Sequence, residues 1–236
     1  MEPVIRVNNL VQKMGRKTVL KGISFEVLPG ECLGVFGTRG TGKTSLLHIL
    51  AGIDRFTSGQ VEILGLNIRK TDKFKRELGL VTQERSLFLD MTVGENLDFI
   101  AALKKASRAD VREMIERYEL NEILSESVTV LDTMGVYQRL SLACAMLNHP
   151  KVLIVDEIIK DIDIYSRHLI LRKLKQFLAE GGACVCGFSN IASCEHMDRV
   201  VWLEGSEMTL YDPECAQAEW NRQEQLDTEQ SGQHHV

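Results

Sequence analysis

Residues Gly37-Thr38-Arg39-Gly40-Thr41-Gly42-Lys43-Thr44 satisfy the spacing G-x-x-x-x-G-K-[ST] at every fixed position. Before them lies a short apolar run, Cys32 to Phe36, and after them the apolar-periodic stretch Ser45 to Leu50. The pattern predicts a buried strand, a glycine turn and a helix start in immediate succession. Such a unit needs a sheet around its strand and a layer around its helix, which restricts the chain to an α/β core. It also builds an anion site. Free backbone N–H groups and the positive end of the helix dipole converge on one point. Glycines let the backbone wrap phosphates, Lys43 reaches the outer ones, and the Thr44 hydroxyl suits a magnesium ion. The expected phosphate-binding set is Gly37, Thr38, Arg39, Gly40, Thr41, Gly42, Lys43, Thr44 and, in the first helical turn, Ser45. A neutral residue is more usual at the position of Arg39.

A second run carries the complementary chemistry. Val152-Leu153-Ile154-Val155 predicts a strand buried on both faces, and Asp156-Glu157 closes it. Carboxylates at the carboxyl end of such a strand emerge in the crevice where α/β sheets bind ligands. Asp156 is placed to hold magnesium and Glu157 to orient or deprotonate an attacking water. Strand alternation sends the two side chains to opposite sides. Together the two runs predict a nucleoside triphosphate site that uses Mg2+, and the resemblance described below makes the nucleotide ATP.

Around these runs the organisation changes along the chain. The first sixty-odd residues read as strands joined by turns such as Pro29-Gly30 and Thr57-Ser58-Gly59. From about residue 84 to 134 the pattern is helical, opened twice by the S/T-x-x-acid capping signal at Thr92–Glu95 and Ser107–Asp110. A further helix is expected from Gln138 to Asn148, then Ile164 to Ala179, with strands at Ala183 to Phe188 and Arg199 to Leu203. The expected division is a domain over 1–211 carrying the helical insert, and a polar tail over 212–236, helical or disordered from Glu219. Trp220 reads as a surface anchor of that tail.

Composition trims the function classes. The net charge of −5 argues against a nucleic-acid partner. The first residues carry no secretory pattern and no apolar run reaches membrane-span length, which predicts a cytoplasmic protein. The six cysteines include no C-x-x-C pair, and Cys184 and Cys186 share one face of a strand as buried free thiols.

Taken with Val81-Thr82-Gln83, Met91 to Leu97 and Gln138 to Ala143, in this order, the motifs resemble the nucleotide-binding subunit of an ATP-binding cassette transporter over roughly residues 4 to 210. The resemblance implies a P-loop NTPase core, a mixed sheet flanked by helices, with an antiparallel β subdomain and an inserted all-helical subdomain. It implies that Gln83 touches the metal and links the catalytic core to the insert. It implies a membrane-spanning permease as partner, with the chain peripheral on the inner membrane face. It further implies a second ATPase subunit, identical or not, so that two subunits sandwich two ATP molecules. Asp163 would cross that interface, and Thr133 and Gly135 would belong to the signature loop that faces the partner's nucleotide.

Departures from the family pattern are concentrated in the parts that reach across a dimer. Asp132-Thr133-Met134-Gly135-Val136 stands where the family has Leu-Ser-Gly-Gly-Gln, so Met134 fills a position meant for close backbone approach. Ser189, or Asn190 one register on, stands where a histidine is expected, and neither carries a cation. Met14 takes the place of the aromatic that stacks on adenine. The function this predicts is an energy-coupling subunit that binds Mg-ATP and dimerises on it, with hydrolysis that is weak or dependent on a partner. The alternative is an ATP-gated regulatory or assembly module with little hydrolysis.

Overall fold

A computed structural model describes residues 1–131 and 134–232, the side chains of 227–232 excepted. Thr133, and with it that part of the expected signature loop, lies outside the described residues.

Two sheets divide the strands. Strand β1 (Ile5–Met14) and β2 (Lys17–Val27) form an antiparallel hairpin, joined by β4 (Ser58–Ile63) and β5 (Leu66–Asn67) in the order β2-β1-β4-β5. Burial alternates over residues 5–8 of β1 and 22–27 of β2, as expected for a sheet with one face in the core and one in solvent, and breaks towards the hairpin turn, where register shifts interrupt the pairing. The second sheet has the order β10-β9-β3-β8-β7-β6, built from β3 (Cys32–Phe36), β6 (Leu78–Val81), β7 (Val152–Asp156), β8 (Ala183–Phe188), β9 (Arg199–Glu204) and β10 (Glu207–Tyr211). All its pairings are parallel except the β9–β10 hairpin. The apolar runs read as β3, β7 and β8 are buried at every residue, because helices or the other sheet cover both faces.

Helices supply the cover. Helix α1 (Lys43–Leu50) packs between the two sheets, in a core shared by Leu46, Leu47, Ile49 and Leu50 with Ile5, Leu20 and Phe74. On the opposite face lie α2 (Val93–Lys104), α3 (Arg108–Arg117), α4 (Met134–Met146) and α5 (Ile164–Ala179), around Leu97, Met114, Leu140 and Ile170. Both predicted capping boxes form: Thr92 with Glu95 opens α2 and Ser107 with Asp110 opens α3. The fold class is therefore the one expected.

Two expectations change. Helix α4 starts at Met134, not Gln138, so the residues read as the end of a loop are its first turn. The polar chain end forms α6 (Pro213–Gly232), with Ala216 fully buried. Trp220 anchors that helix half-buried instead of on the surface: its ring lies 5.5 Å from that of Phe36 and 6.2 Å from that of Trp202. A single aromatic docking onto β3 and β9 gives no periodic signal, which is why the segment reads as aperiodic. Cys184 and Cys186 are buried free thiols on β8, as expected.

Candidate functional site

The site is assembled at the carboxyl ends of β3, β7 and β8. The chain leaves β3 at Phe36, turns through the glycine loop and enters α1 with Gly42 as its N-cap, at φ +101°. A Cβ there would lie 2.9 Å from Leu20 Cδ2 and force a conformation that L side chains avoid, so the position needs glycine on both counts. Thr41 Oγ1 donates to the Thr38 carbonyl at 2.9 Å and closes the loop on itself.

The two carboxylates at the end of β7 meet this loop. Thr44 Oγ1 donates to Asp156 Oδ2 at 3.1 Å, and Lys43 Nζ donates to Glu157 Oε1 at 2.5 Å. Lys43 and Glu157 are 8% and 6% exposed, which makes theirs a buried ion pair rather than a surface one. The expectation that Asp156 and Glu157 diverge does not hold. β7 ends at Asp156, and Glu157 leaves the strand at φ +56°, so both side chains turn to the loop. A hydrogen bond of 2.9 Å from Glu157 N to the Gly187 carbonyl ties that turn to β8.

β8 lies between β3 and β7, so Asp156 must reach past it to α1. Gly187 makes this possible. It is the register partner of Asp156, and a Cβ there would sit 2.6 Å from both Asp156 Oδ1 and Leu47 Cδ1. Sequence reasoning missed Gly187, although an isolated glycine inside a strand is a signal of close approach. Burial raises the Asp156 carboxyl above the usual carboxylate range, while the Lys43 charge and the Thr44 hydroxyl pull it back. Asp156 Oδ1 is buried and has no hydrogen-bond partner among the described residues. An unpaired carboxylate oxygen beside a threonine hydroxyl, with Gln83 at the same cleft, is a donor set that fits a hard divalent cation such as magnesium.

These groups open on a cleft of about 870 Å³. It brings together Met14, Thr38, Arg39, Gly40, Gly42, Lys43, Thr44, Ser45, Gln83, Glu157 and Ser189, contributed by five separate segments of chain. Gly37 and Thr41 stand behind the loop, with a Cβ on Gly37 falling 2.3 Å from Thr41 Oγ1. Lys17 and Val19 at the start of β2, with Glu84 and Lys160 from loops, also line the cleft and were not foreseen. Lys160 N donates to the Glu157 carbonyl at 3.1 Å, and the same residue lines the cleft.

Gly135 and Asp163 do not line the cleft; they meet each other. Asp163 caps α5, its Oδ1 accepting from Ser166 N at 2.8 Å, and that hydrogen bond holds its carboxyl below the usual range. A Cβ on Gly135 would lie 2.1 Å from Asp163 Oδ2 and 2.4 Å from Ser166 Oγ. Met134, in the same turn, accepts a 3.5 Å contact from Arg85 on its sulfur.

The family model described as ABC transporter matches residues 20–160. The chain is 37% identical over 185 residues to Nod factor export ATP-binding protein I of Paraburkholderia xenovorans (strain LB400), covering 76% of this chain and 60% of that protein. It is 31% identical to linearmycin resistance ATP-binding protein LnrL of Bacillus subtilis (strain 168), over 85% of this chain and 64% of the relative. It is also 31% identical to spermidine/putrescine import ATP-binding protein PotA of Aggregatibacter actinomycetemcomitans, over 74% and 48%. The chain thus spans less than two thirds of the length of each of these relatives. Among solved structures, an ATP-binding subunit of an ABC transporter superposes with a TM-score of 0.81 at 21% identity, over 89% of this chain and 90% of that one. An ATP-binding cassette in a dimeric post-hydrolysis state with ADP and Pi superposes with a TM-score of 0.80 at 23% identity, over 89% and 98%.

Proposed function

Since the chain belongs to the ABC transporter family, we propose that it binds Mg-ATP in this cleft and couples nucleotide-driven dimerisation to transport, with hydrolysis that is slow or dependent on a partner subunit. The observation that carries the reading is the double contact of the phosphate loop with the end of β7, Lys43 to Glu157 and Thr44 to Asp156.

The same contact sets the order of events. An incoming triphosphate competes for the Lys43 ammonium, and the ion pair opens. Lys43 then bonds the outer phosphates, and Glu157 is freed to accept a hydrogen bond from the attacking water. The water oxygen adds to the terminal phosphorus, the bond to the bridging oxygen breaks, and the water's proton passes to Glu157 as ADP departs. Asp156, Thr44 and Gln83 would hold the magnesium ion, which when bound neutralises charge on the phosphate oxygens. Ser189 stands at the cleft where a cation would help the terminal phosphate. Missing a preorganised electrostatic group at such a position costs about 10²–10³ in rate, which supports weak intrinsic turnover.

A second subunit of the same kind supplies the other wall of the site. Thr133, Gly135 and Asp163 are assigned to that interface. Gln83 and the residues after it lead from the cleft to Phe88, whose ring packs edge-on against Phe99 at 4.8 Å while both remain about 40% exposed. This apolar face of the helical layer is assigned to a membrane-spanning permease. No helix among the described residues is long and apolar enough to cross a membrane itself, and the chain is assigned to the inner membrane face through that partner.

Steady-state Mg-ATP hydrolysis by the purified chain, beside its Glu157→Gln variant, tests the reading. Expected is ATP binding in both, low turnover in the native chain and none in the variant. Absence of ATP binding in the native chain would sink it.

A further inference from the structure

We propose that a basic hollow at the amino ends of β6 and β7 is an anion site separate from the cleft, and that it takes the phosphate monoester group of a small molecule or of a lipid headgroup.

The hollow has a volume of about 510 Å³ and is lined by Lys75, Arg76, Leu103, Lys104, Lys105 and Asn148. Three segments of chain meet there. Lys75 and Arg76 belong to a 3-10 turn, Lys73–Glu77, that runs into β6. Leu103, Lys104 and Lys105 close α2. Asn148 lies between α4 and β7. Strands β6 and β7 run parallel, and the cleft sits at the carboxyl end of β7, so the hollow lies at the opposite end of the sheet. It shares no lining residue with the cleft.

Four of the six lining residues are basic and none is acidic. Lys75 is paired with Asp72 at 2.7 Å. Glu77, the carboxylate next in sequence, is turned to Lys151 at 3.4 Å. Arg76, Lys104 and Lys105 have no carboxylate within ion-pair distance among the described residues. Cations at helix ends are ordinary, because they answer the negative end of the dipole. The dipole accounts for a cation at the end of α2 and another in the turn before β6. It does not account for both ends lining one hollow, where like charges repel.

The hollow is also held in shape. The half-buried Lys104 ammonium donates to the Ala145 carbonyl and to Asn148 Oδ1, and its third hydrogen has no partner among the described residues. Asn148 Nδ2 donates to the Arg76 carbonyl, so one side chain ties both cationic segments together. Burial pushes the Cys144 thiol up to about 12, so this neighbour of Lys104 brings no negative charge at neutral pH. A phosphate dianion supplies the missing acceptors: for the free hydrogen of Lys104, for the planar fork of Arg76 and for the Lys105 ammonium. The volume falls in the range of about 300–1,000 Å³ usual for small-molecule sites and exceeds what a bare ion fills. Leu103, 69% exposed, offers the rest of the ligand an apolar wall.

Two probes test the site on the full chain, with Mg-ATP present to fill the cleft. One is calorimetric titration with glycerol 3-phosphate. The other is flotation with phosphatidylcholine vesicles, with and without phosphatidic acid. Expected is binding of glycerol 3-phosphate, or flotation that depends on phosphatidic acid, weakened at least about tenfold in the double variant Arg76→Gln, Lys105→Gln. Both of these side chains are exposed, so the variant keeps its core. The double variant Arg172→Gln, Lys175→Gln removes the same charge from the exposed face of α5 and should bind within about twofold of the native chain. Binding of glycerol 3-phosphate identifies a soluble ligand, and flotation alone identifies a lipid headgroup. Binding of neither probe would overturn the inference. So would affinity unchanged by Arg76→Gln, Lys105→Gln, which would leave the phosphate elsewhere, or equal weakening in the two double variants, which would reduce the effect to net charge.

Discussion

Glycine is required at β8 and at the head of α4 for the same local reason and with different consequences. At Gly187 the missing Cβ makes room for Asp156 to reach α1 across an intervening strand. At Gly135 it makes room for the cap of α5, where Asp163 and Ser166 press against the first turn of α4. The first close approach joins residues far apart in sequence at a charged, buried cleft. The second joins two helix ends beside it. Close packing by itself therefore does not mark function. What distinguishes the β8 glycine is that the atom it admits is a buried carboxylate oxygen with no hydrogen-bond partner among the described residues.

The largest effect is expected at the centre of the cleft. Lys43→Ala removes the contact to the outer phosphates and leaves Glu157 buried without its cation. Removing one partner of a buried pair costs about 3–5 kcal/mol. Titration should find Mg-ATP affinity reduced by at least about 100-fold, and thermal unfolding should find a lower midpoint. Retained affinity would show that the loop does not hold phosphate and would erase the contrast between the two glycines.

The glycines themselves come next. Gly187→Ala forces a methyl onto Asp156 Oδ1 and Leu47, both 2.6 Å away. Overpacking of this kind costs about 1–3 kcal/mol. Displacement of Asp156 should also weaken the magnesium dependence of nucleotide binding about tenfold or more. Gly135→Ala meets Asp163 and Ser166 even more closely and should lower the unfolding midpoint by a similar amount. Binding of Mg-ATP to the isolated chain should nevertheless stay within about twofold of the native value, because neither residue it displaces lines the cleft. Equal losses of affinity in both variants would dissolve the distinction.

How far the sequence foretold this contrast depends on what kind of contact made it. The phosphate loop, the strand ending in Asp156-Glu157 and both capping boxes are local patterns, and each could be read from consecutive residues. The turn of Glu157 into the left-handed region depends on its hydrogen bond to β8, a partner thirty residues on, and alternation alone predicted the wrong side. Lys17 and Lys160 reach the cleft only because the hairpin and the loop after β7 fold over it. Trp220 finds Phe36 and Trp202 from a segment whose own composition reads as solvent-exposed. Gly187 was visible as an odd residue in a strand, but its reason lies on a neighbouring strand and a helix.

The smallest effect tests a buried charge outside the cleft and so calibrates the others. Lys104 ends α2, donating to the Ala145 carbonyl at 2.7 Å and to Asn148 Oδ1 at 2.9 Å. Burial lowers its ammonium from 10.5 to about 8. In that interval the unfolded chain binds the proton and the folded chain does not, so unfolding free energy rises with pH across it. The cost of the buried ammonium is fully present below pH about 8 and is relieved as pH climbs towards 10.5. Against Lys104→Met, which has no such proton, native stability should gain on the order of 2 kcal/mol between these limits. Denaturant titrations of both chains at pH 7.5 and about pH 10 measure it, and parallel pH profiles would show that the two acceptors offset burial completely. Lys43 is buried too, but it faces a carboxylate instead of neutral oxygens. The comparison of the two lysines then separates what burial does to an ammonium from what its counter-ion does, which is the quantity that an incoming triphosphate must overcome when it draws Lys43 away from Glu157.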